Sequence, residues 1–167
     1  MARVYISIGS NIKPLHHIRT GLTHLQSQFR PLILSSVYES QAVGFKGNNF
    51  YNLAAGFDTR LTIYQVVDIL RHIEHQNGRQ RQHGKQFSDR TLDLDLLLYD
   101  DLILKLDNLE IPRHENTQYA FVLLPLAEIA PTVRHPLTGQ RYTDMAKQFS
   151  DPAQLLWRLN VEVNSAK

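Results

Sequence analysis

The sequence predicts an α+β fold with a largely antiparallel sheet, and three observations support this prediction. The chain has 167 residues, of which 43% are apolar, and this is enough to form the core of one domain. Alternating β-branched runs indicate strands, and apolar steps of three or four residues indicate amphipathic helices. From residue 3 to residue 99 these segments follow the order β-α-β-β-α-β. That order is the split pattern of ferredoxin-like folds, which places both helices on one face of the sheet.

Local signals predict the strands and the first helix. The first helix carries an apolar stripe that begins at Leu15 and ends at Phe29, and Pro31 stops it. The predicted strands are residues 3–8, 32–38, 49–58, 91–99 and 109–111.

Capping signals predict two further helices. Thr62 and Gln65 form a capping box at the start of the second helix, and Gly78 is suited to end it. Asn116 is expected to cap a third helix, which Pro125 is expected to interrupt.

Composition and charge exclude several classes of protein. The chain has no cysteine, which excludes disulfides, thiolate catalysis and thiolate zinc sites, and this favours a cytoplasmic protein. A net charge of +2 is too small to indicate a nucleic-acid partner. No apolar run approaches the ~20 residues that a transmembrane helix needs, so we expect no membrane partner. We expect a single domain over residues 1–167 that acts as a monomer.

Two aspartates on the fourth predicted strand are candidate metal ligands. Side chains alternate along a strand, so Asp93 and Asp95 should point to one face and Leu94 to the other. Two neighbouring carboxylates repel each other, and a divalent cation would neutralise them. Magnesium suits hard oxygen ligands, since it takes one or two carboxylates and completes its shell with phosphate and water. A solvent-facing strand with two ordinary acids is the alternative.

A basic loop precedes this strand. Arginine pairs well with phosphate oxygens, and the glycines Gly78 and Gly84 would let the loop close as a lid over a metal–phosphate complex. An ordinary solvated surface loop is the alternative. The basic residues are Arg79, Arg81, Lys85 and Arg90.

An aromatic residue and an amide share one face of the third predicted strand. Phe50 and Asn52 are two residues apart, so they suit a planar heterocycle that stacks on the ring and pairs with the amide. A core phenylalanine beside an edge asparagine is the alternative.

Together these motifs resemble one family, the 6-hydroxymethyl-7,8-dihydropterin pyrophosphokinases. The resemblance runs from Ile8-Gly9-Ser10-Asn11 to about Pro131, and its most specific motif is Arg90-Thr91-Leu92-Asp93-Leu94-Asp95. The supporting matches are Ser36-Val37-Tyr38-Glu39, Asn49-Phe50-Tyr51-Asn52, Ile73-Glu74 with Gly78-Arg79, and Phe121-Val122-Leu123-Leu124-Pro125-Leu126.

The resemblance implies a fold, a reaction and a set of ligands. The fold would be a ferredoxin-like three-layer α-β-α sandwich. The reaction would transfer a diphosphate from ATP to the hydroxymethyl group of a dihydropterin, a step of folate biosynthesis. Asp93 and Asp95 resemble the ligands of two magnesium ions. The residues that resemble the pterin site are Val43, Gly44, Phe50, Asn52 and Phe121.

The resemblance also implies a nucleotide end. Glu74 resembles an acid that orients the nucleotide, and Arg79, Arg81 and Arg90 resemble arginines that contact phosphate during catalysis.

Among several departures from the family pattern, two change charge after Pro112. Phe50 and Phe121 resemble the two rings that stack on the pterin. The family has a histidine after the proline at position 112 and an arginine two residues before the second of these rings, whereas this chain has Arg113 and Tyr119. We expect Arg113 to replace the missing charge as a catalytic phosphate contact, because arginine stays protonated and pairs with two oxygens at once. These departures leave open a diverged pterin- or nucleotide-binding paralogue with weak or altered transfer activity.

An RNA-binding ferredoxin-like domain is the other alternative. It would also place aromatic residues on a sheet and basic residues in loops. Asp93 and Asp95 argue against it, because without metal they would repel a phosphate backbone.

Overall fold

The computed structural model describes residues 1–78 and 89–163. No helix within these ranges is long and apolar enough to cross a membrane. The strands are β1 Ala2–Ser10, β2 Ile33–Leu34, β3 Val37–Ser40, β4 Phe50–Thr59, β5 Asp93–Tyr99, β6 Leu104–Leu106, β7 Leu109–Ile111 and β8 Leu156–Leu159. The helices are α1 Pro14–Gln28, α2 Ile63–Gln76, α3 Glu115–Gln118, α4 Ala120–Ile129 and α5 Tyr142–Gln148.

One antiparallel sheet organises the molecule. Its strand order is β5-β1-β4-β3-β8, and the short β2 also pairs with β4. Every recorded pairing in this sheet is antiparallel. Strands β6 and β7 form a separate two-stranded sheet. The predicted largely antiparallel sheet is therefore confirmed, with β1 and β4 at its centre.

Helices α1 and α2 cover one face of the sheet, as the order of elements predicts. Alternate residues of β1 (Val4, Ile6 and Ile8) point to this face and are fully buried. They form one core with Ile18 and Leu22 of α1 and with other apolar residues of α2, β4 and β5. The 3.6-residue period of the helices and the two-residue period of the strands thus meet in a single apolar layer.

Helices α4 and α5 cover the opposite face, which gives the three layers that the family resemblance implies. Tyr5 of β1 points to this face and belongs to a second core with Leu126 and Tyr142. A register shift in the pairing of β1 with β5 brings both Leu97 and Leu98 into this core, because one extra residue breaks the strict alternation.

The start of α2 confirms the predicted capping box. The Thr62 hydroxyl accepts a hydrogen bond from the Gln65 amide at 3.2 Å, and the Gln65 side chain accepts one from the Thr62 amide at 2.9 Å. At the other end Gly78 has a φ of 78°, a value that glycine adopts without a steric penalty.

The strand predicted at residues 32–38 is in fact two strands, β2 and β3. Ser35 lies between them and donates its backbone amide to the Ala54 carbonyl at 3.0 Å, while its hydroxyl accepts from the Ala54 amide at 2.8 Å. A side chain therefore takes the place of a backbone carbonyl in the ladder. Serine competes with the backbone in this way, and the apolar pattern does not reveal it.

The predicted third helix is also different from expectation. Asn116 lies inside the short helix α3, and its side-chain amide donates to the Leu97 carbonyl at 3.1 Å instead of capping a helix. The next helix, α4, begins at Ala120, and Pro125 lies inside it without interrupting it. Pro125 is in the sixth position of α4, where it only removes one hydrogen-bond donor from the helix.

Candidate active site

A cleft opens at one end of the sheet, where β1, β4, β5 and the start of α4 meet. The space between its walls, including the part open to solvent, is about 770 Å³. It brings together the two ends of the predicted site, one rich in carboxylates and arginines and one rich in aromatic rings. Its lining residues are Ser7, Gly9, Ser40, Gln41, Val43, Phe45, Phe50, Asn52, Arg90, Asp93, Asp95, Leu97, Arg113, Glu115, Phe121 and Val122.

The two aspartates lie on the cleft face of β5, as their spacing predicts. Asp93 pairs in register with Gly9 and Asp95 with Ser7, and both carboxylates are half-buried. Leu94 between them is buried in the core of the opposite face. The solvent-facing alternative does not describe these residues, because both line the cleft.

Both aspartates have arginine partners. Arg90 donates from Nη1 to Asp93 Oδ2 at 2.9 Å, and Arg113 Nη1 lies 3.6 Å from Asp95 Oδ1. Arg113 also pairs with Glu115, whose Oε2 lies 3.0 Å from Arg113 Nε. Cations and carboxylates are therefore paired at this end of the cleft, and such groups occur together where a protein binds metal and polyphosphate.

The charge of Arg113 is held by its neighbours. Burial would lower the pKa of the guanidinium, but the negative charges of Asp95, Glu115 and Asp93 outweigh it and raise that pKa above its ordinary value. The backbone at Arg113 is attached to β5, where the pairing with β1 shifts register. The Arg113 backbone amide donates to the Leu97 carbonyl at 3.4 Å. Arg113 is thus a permanently charged group in the cleft.

The other end of the cleft is aromatic and neutral. Phe50 and Phe121 both line it, and Phe45 meets Phe50 edge-on, with ring centroids 6.2 Å apart and planes at 86°. Asn52 also lines the cleft. Asn52 is 4% exposed and donates from Nδ2 to the Ser40 hydroxyl at 3.1 Å.

Gly9 is required where these strands meet. Its neighbours in register are Asn52 on one side and Asp93 on the other. A Cβ at this position would lie 2.9 Å from Asn52 Oδ1, closer than side chains approach one another. Glycine here allows the Asn52 amide to turn toward the cleft across β1.

The loop after β3 contributes to the cleft only in part as predicted. Val43 lines it, whereas Gly44 is not among the described lining residues and has a φ of 79°. Phe45 and Gln41 line the cleft although the sequence did not single them out. Phe45 has a visible signal, as an aromatic residue flanked closely by Gly44 and Gly47 in the predicted loop.

Glu74 lies on the opposite side of β5 from the cleft lining. It is 2% exposed, and its Oε2 accepts a hydrogen bond from the Leu94 amide at 3.1 Å. Leu94 lies between the two aspartates, so Glu74 supports the part of β5 that carries them. Its predicted role at the nucleotide remains a prediction. Arg79 and Arg81 lie outside the described residues, as does Lys85.

The sequence did not predict a role for Ser7, Ser40 or Glu115, which also line the cleft. Short hydroxyl side chains on strands give no pattern of their own. Tyr119 has an unexpected position as well, because its ring stacks on Phe121, with centroids 5.2 Å apart and planes at 21°.

The donor set of the cleft fits magnesium. No group of three or more histidine or acidic side chains that could hold a metal lies within residues 1–78 and 89–163. A pair of aspartates is nevertheless the usual protein contribution to a magnesium site that phosphate and water complete. The cleft therefore suits a metal ion that arrives with a phosphorylated ligand.

Fold and cleft together define an α+β protein with a charged end and an aromatic end in one cleft. Residues 5–131 match the family model of the 7,8-dihydro-6-hydroxymethylpterin-pyrophosphokinases (HPPK). The chain belongs to this family.

Similar proteins agree with this assignment. The chain is 34% identical over 155 residues to the 2-amino-4-hydroxy-6-hydroxymethyldihydropteridine pyrophosphokinase of Haemophilus influenzae. The aligned region covers 90% of this chain and 95% of that protein. The enzyme of the same name from Pseudomonas aeruginosa is 36% identical over 138 residues, with 80% and 84% covered.

Solved structures share the fold. The HPPK-DHPS of Plasmodium falciparum with SDX-DHP superimposes with a TM-score of 0.65 at 14% identity over 89% of this chain. Its complex with pterin and p-hydroxybenzoate gives a TM-score of 0.70 at 14% identity. The chain spans 43% of the length of each of these two chains.

Proposed function

We propose that this chain transfers a diphosphate from ATP to 6-hydroxymethyl-7,8-dihydropterin, giving the pterin diphosphate and AMP in folate biosynthesis. The chain is an ATP-dependent pyrophosphokinase by family. One observation about the cleft supports the proposal most strongly, namely that Gly9 pairs with Asn52 on one side and Asp93 on the other. The backbones of Asn52 and Asp93 are therefore two strand spacings apart, about 10 Å. This separation suits a pterin that binds at Asn52 and extends its hydroxymethyl group toward phosphates at Asp93.

The aromatic end of the cleft would bind the pterin. Phe50 and Phe121 would stack on the two faces of the ring, and Asn52 would pair with its nitrogen and oxygen atoms. Backbone groups at Val43 and Gly44 would complete the edge of the site. The neutral, largely buried setting of Asn52 supports this role, because a polar ring edge needs partners that water does not occupy.

The charged end would bind the triphosphate of ATP. Asp93 and Asp95 would hold magnesium, and we propose two ions because both carboxylates face the cleft. When bound, the ions would neutralise phosphate charge and make phosphorus more open to attack. Arg90 and Arg113 would contact phosphate oxygens from within the cleft. Arg79 and Arg81, outside the described residues, would also contact phosphate, and Glu74 would act at the nucleotide end.

The reaction would be an in-line displacement. The pterin hydroxymethyl oxygen forms a bond to the β-phosphorus of ATP, the bond from that phosphorus to the α,β-bridging oxygen breaks, and AMP leaves with the bonding electrons. The hydroxymethyl proton is released in the same step. Such transfers depend on position and charge neutralisation. The chain would hold the ring between two phenylalanines, while Arg90 and Arg113 offset the charge that moves to the leaving oxygen.

Several broader properties are part of the proposal. We propose one domain over residues 1–167, a monomer, and a cytoplasmic location, for which the absence of cysteine is the support. Small molecules, and neither nucleic acid nor membrane, would be its partners.

A diverged pterin-binding paralogue is the second candidate. The ion pairs that Arg113 makes with carboxylates of the chain favour it. Arg113 already lies against Asp95 and Glu115. To contact a phosphate during transfer, the Arg113 guanidinium would have to leave these carboxylates. A paralogue that only binds the pterin would not need Arg113 to contact phosphate.

Steady-state AMP release separates these functions. With Mg-ATP, AMP should appear when 6-hydroxymethyl-7,8-dihydropterin is added and should not when 6-methyl-7,8-dihydropterin replaces it, because the methyl compound has no attacking oxygen. Binding of the hydroxymethyl compound without AMP release would favour the paralogue. Tight, salt-dependent binding of single-stranded RNA together with no pterin binding would overturn both.

A further inference from the structure

The ring of Phe121 packs against Tyr119, and a residue beyond the family-matched residues 5–131 bonds the backbone beside both rings. Phe121 lines both the cleft and a second depression beside it. Tyr119 is among the described residues that line the depression and is not among those that line the cleft. The Tyr119 ring lies 5.2 Å from the Phe121 ring with planes at 21°, so Tyr119 packs against the stacking ring.

Gln154 fixes the backbone between these two rings. Its Oε1 accepts from the Ala120 amide at 2.8 Å, and its Nε2 donates to the Gln118 carbonyl at 3.0 Å. Ala120 is the first residue of α4 and lies between Tyr119 and Phe121. The first amides of a helix have no partner within the helix. Gln154 supplies a hydrogen-bond acceptor for the Ala120 amide, which lies between the two residues that carry the rings.

The segment that carries Gln154 is itself ordered by local bonds. Asp151 accepts from the Gln154 side chain at 3.0 Å through Oδ2 and from the Ala153 amide at 3.0 Å through Oδ1. Strand β8 follows directly, and Leu156 pairs in register with Ser40. Ser40 is the partner of the Asn52 amide, so one short segment borders both walls of the aromatic pocket.

We infer that Gln154 is a positioning residue that, with Tyr119, sets the orientation of Phe121 and thereby the affinity for the pterin ring. This inference rests on the proposed function, since it takes Phe121 as a pterin-stacking residue. It also gives Tyr119 a role in the pterin site, at a position where the family has an arginine. Gln154 touches no reacting atom; it acts through the start of α4.

Three variants test the inference by fluorescence titration with 6-hydroxymethylpterin in the presence of magnesium and α,β-methylene ATP. Gln154→Leu keeps the size of the side chain and loses every hydrogen bond, so pterin affinity should fall about 3- to 10-fold. Gln154→Glu would place a second carboxylate beside Asp151 and the Gln118 carbonyl, so it should lower pterin affinity at least as much. Gln148→Leu, a matched change at an exposed glutamine of α5, should leave affinity unchanged. The affinity for α,β-methylene ATP alone should be the same in all of them.

A double-mutant cycle separates positioning from general stability. In a Phe121→Ala background, Gln154→Leu should have almost no further effect on pterin affinity, because the ring through which it acts is absent. Undiminished loss in that background, or equal loss for the nucleotide, would overturn the inference. Wild-type affinity of Gln154→Leu would overturn it too, while leaving the proposed function intact. Failure of the wild-type protein to bind the pterin would instead refute the proposed function.

Discussion

The two ends of the cleft are held by different kinds of interaction. At the aromatic end, Asn52 is 4% exposed and is fixed by the neutral Ser40 hydroxyl and by close packing against Gly9. At the charged end, half-buried aspartates are held by ion pairs with Arg90 and Arg113. The Asn52 side chain at the aromatic end is therefore held in place before a ligand binds. If the triphosphate of ATP binds at the charged end, as proposed, it would have to compete for groups that already have partners.

This contrast predicts that substitutions at the two ends act on different quantities. Changes at the charged end should alter the rate of transfer, because the charge they meet develops during the reaction. Changes at the aromatic end should alter pterin affinity and leave nucleotide affinity almost unchanged. The predictions below run from the largest expected effect to the smallest.

The largest effect is expected at Asp95. Asp95→Ala should reduce the rate of AMP production at least about 100-fold at saturating magnesium, because loss of a metal ligand removes several kcal/mol of charge stabilisation. Pterin affinity should change little, and thermal unfolding should show an intact fold. The control is Asp107→Ala at the exposed β6–β7 turn. Near-normal turnover in Asp95→Ala would refute the metal assignment.

A smaller effect on rate is expected at Arg113. Arg113→Ala should slow single-turnover transfer about 10- to 100-fold and weaken pterin binding less, since the guanidinium would meet charge that grows in the transition state. The same change removes a partner of Glu115, so the free energy of unfolding must be measured in parallel.

Tyr119→Arg sharpens the test of Arg113. If Arg113 compensates for the missing family arginine, the added charge should bring little gain in rate. A silent Arg113→Ala combined with strong acceleration in Tyr119→Arg would contradict compensation and describe a weakened family member. Because Tyr119 also stacks on Phe121, the same variant should lower pterin affinity, which a pure charge role would not explain.

At the aromatic end, Phe50→Ala and Phe121→Ala should each weaken pterin affinity by about 1 kcal/mol or more, roughly 5-fold or greater, through loss of stacking. Affinity for ATP measured without the pterin should stay the same. Titration calorimetry with each ligand distinguishes the two outcomes. Equal losses for both ligands would indicate that these rings only pack the fold.

Much of the fold could be predicted because its signals are local and regular. The alternation of Val4, Ile6 and Ile8 and the capping box of α2 depend on neighbours in sequence, and both were correct. The division between β2 and β3 depends on a hydroxyl of Ser35 that bonds across the sheet to Ala54. Asn116 was wrong as a cap because its amide donates to Leu97, a partner that only the folded chain brings near.

The site shows the same limit. The spacing of Asp93 and Asp95 and of Phe50 and Asn52 predicts shared faces, and in each pair both residues line the cleft. Tertiary partners leave no such pattern. Tyr119 and Phe121 are two residues apart, a spacing that predicts no contact within a helix. Their rings stack because Tyr119 lies at the junction of α3 and α4. Sequence reasoning read Tyr119 only as a missing charge.

The smallest predicted effect tests how rigid the aromatic end is. A Cβ at position 9 would lie 2.9 Å from Asn52 Oδ1, and Asn52 is held by Ser40, so Gly9→Ala must shift the amide or stretch its bond. Pterin affinity should fall about 3-fold, the loss expected for one weakened hydrogen bond.

Gly56→Ala is the matched control, because it offers a similar clash in the middle of the same strand pair, where Gly56 pairs with Tyr5. A Cβ there would lie 2.8 Å from a ring carbon of Tyr5, away from the cleft lining. Both variants should lower the free energy of unfolding, but only Gly9→Ala should weaken pterin binding. If Gly9→Ala leaves affinity unchanged while destabilising the protein like Gly56→Ala, the Asn52 amide adapts freely. The aromatic end would then be no more preformed than the charged one, and the contrast between the two ends would fail.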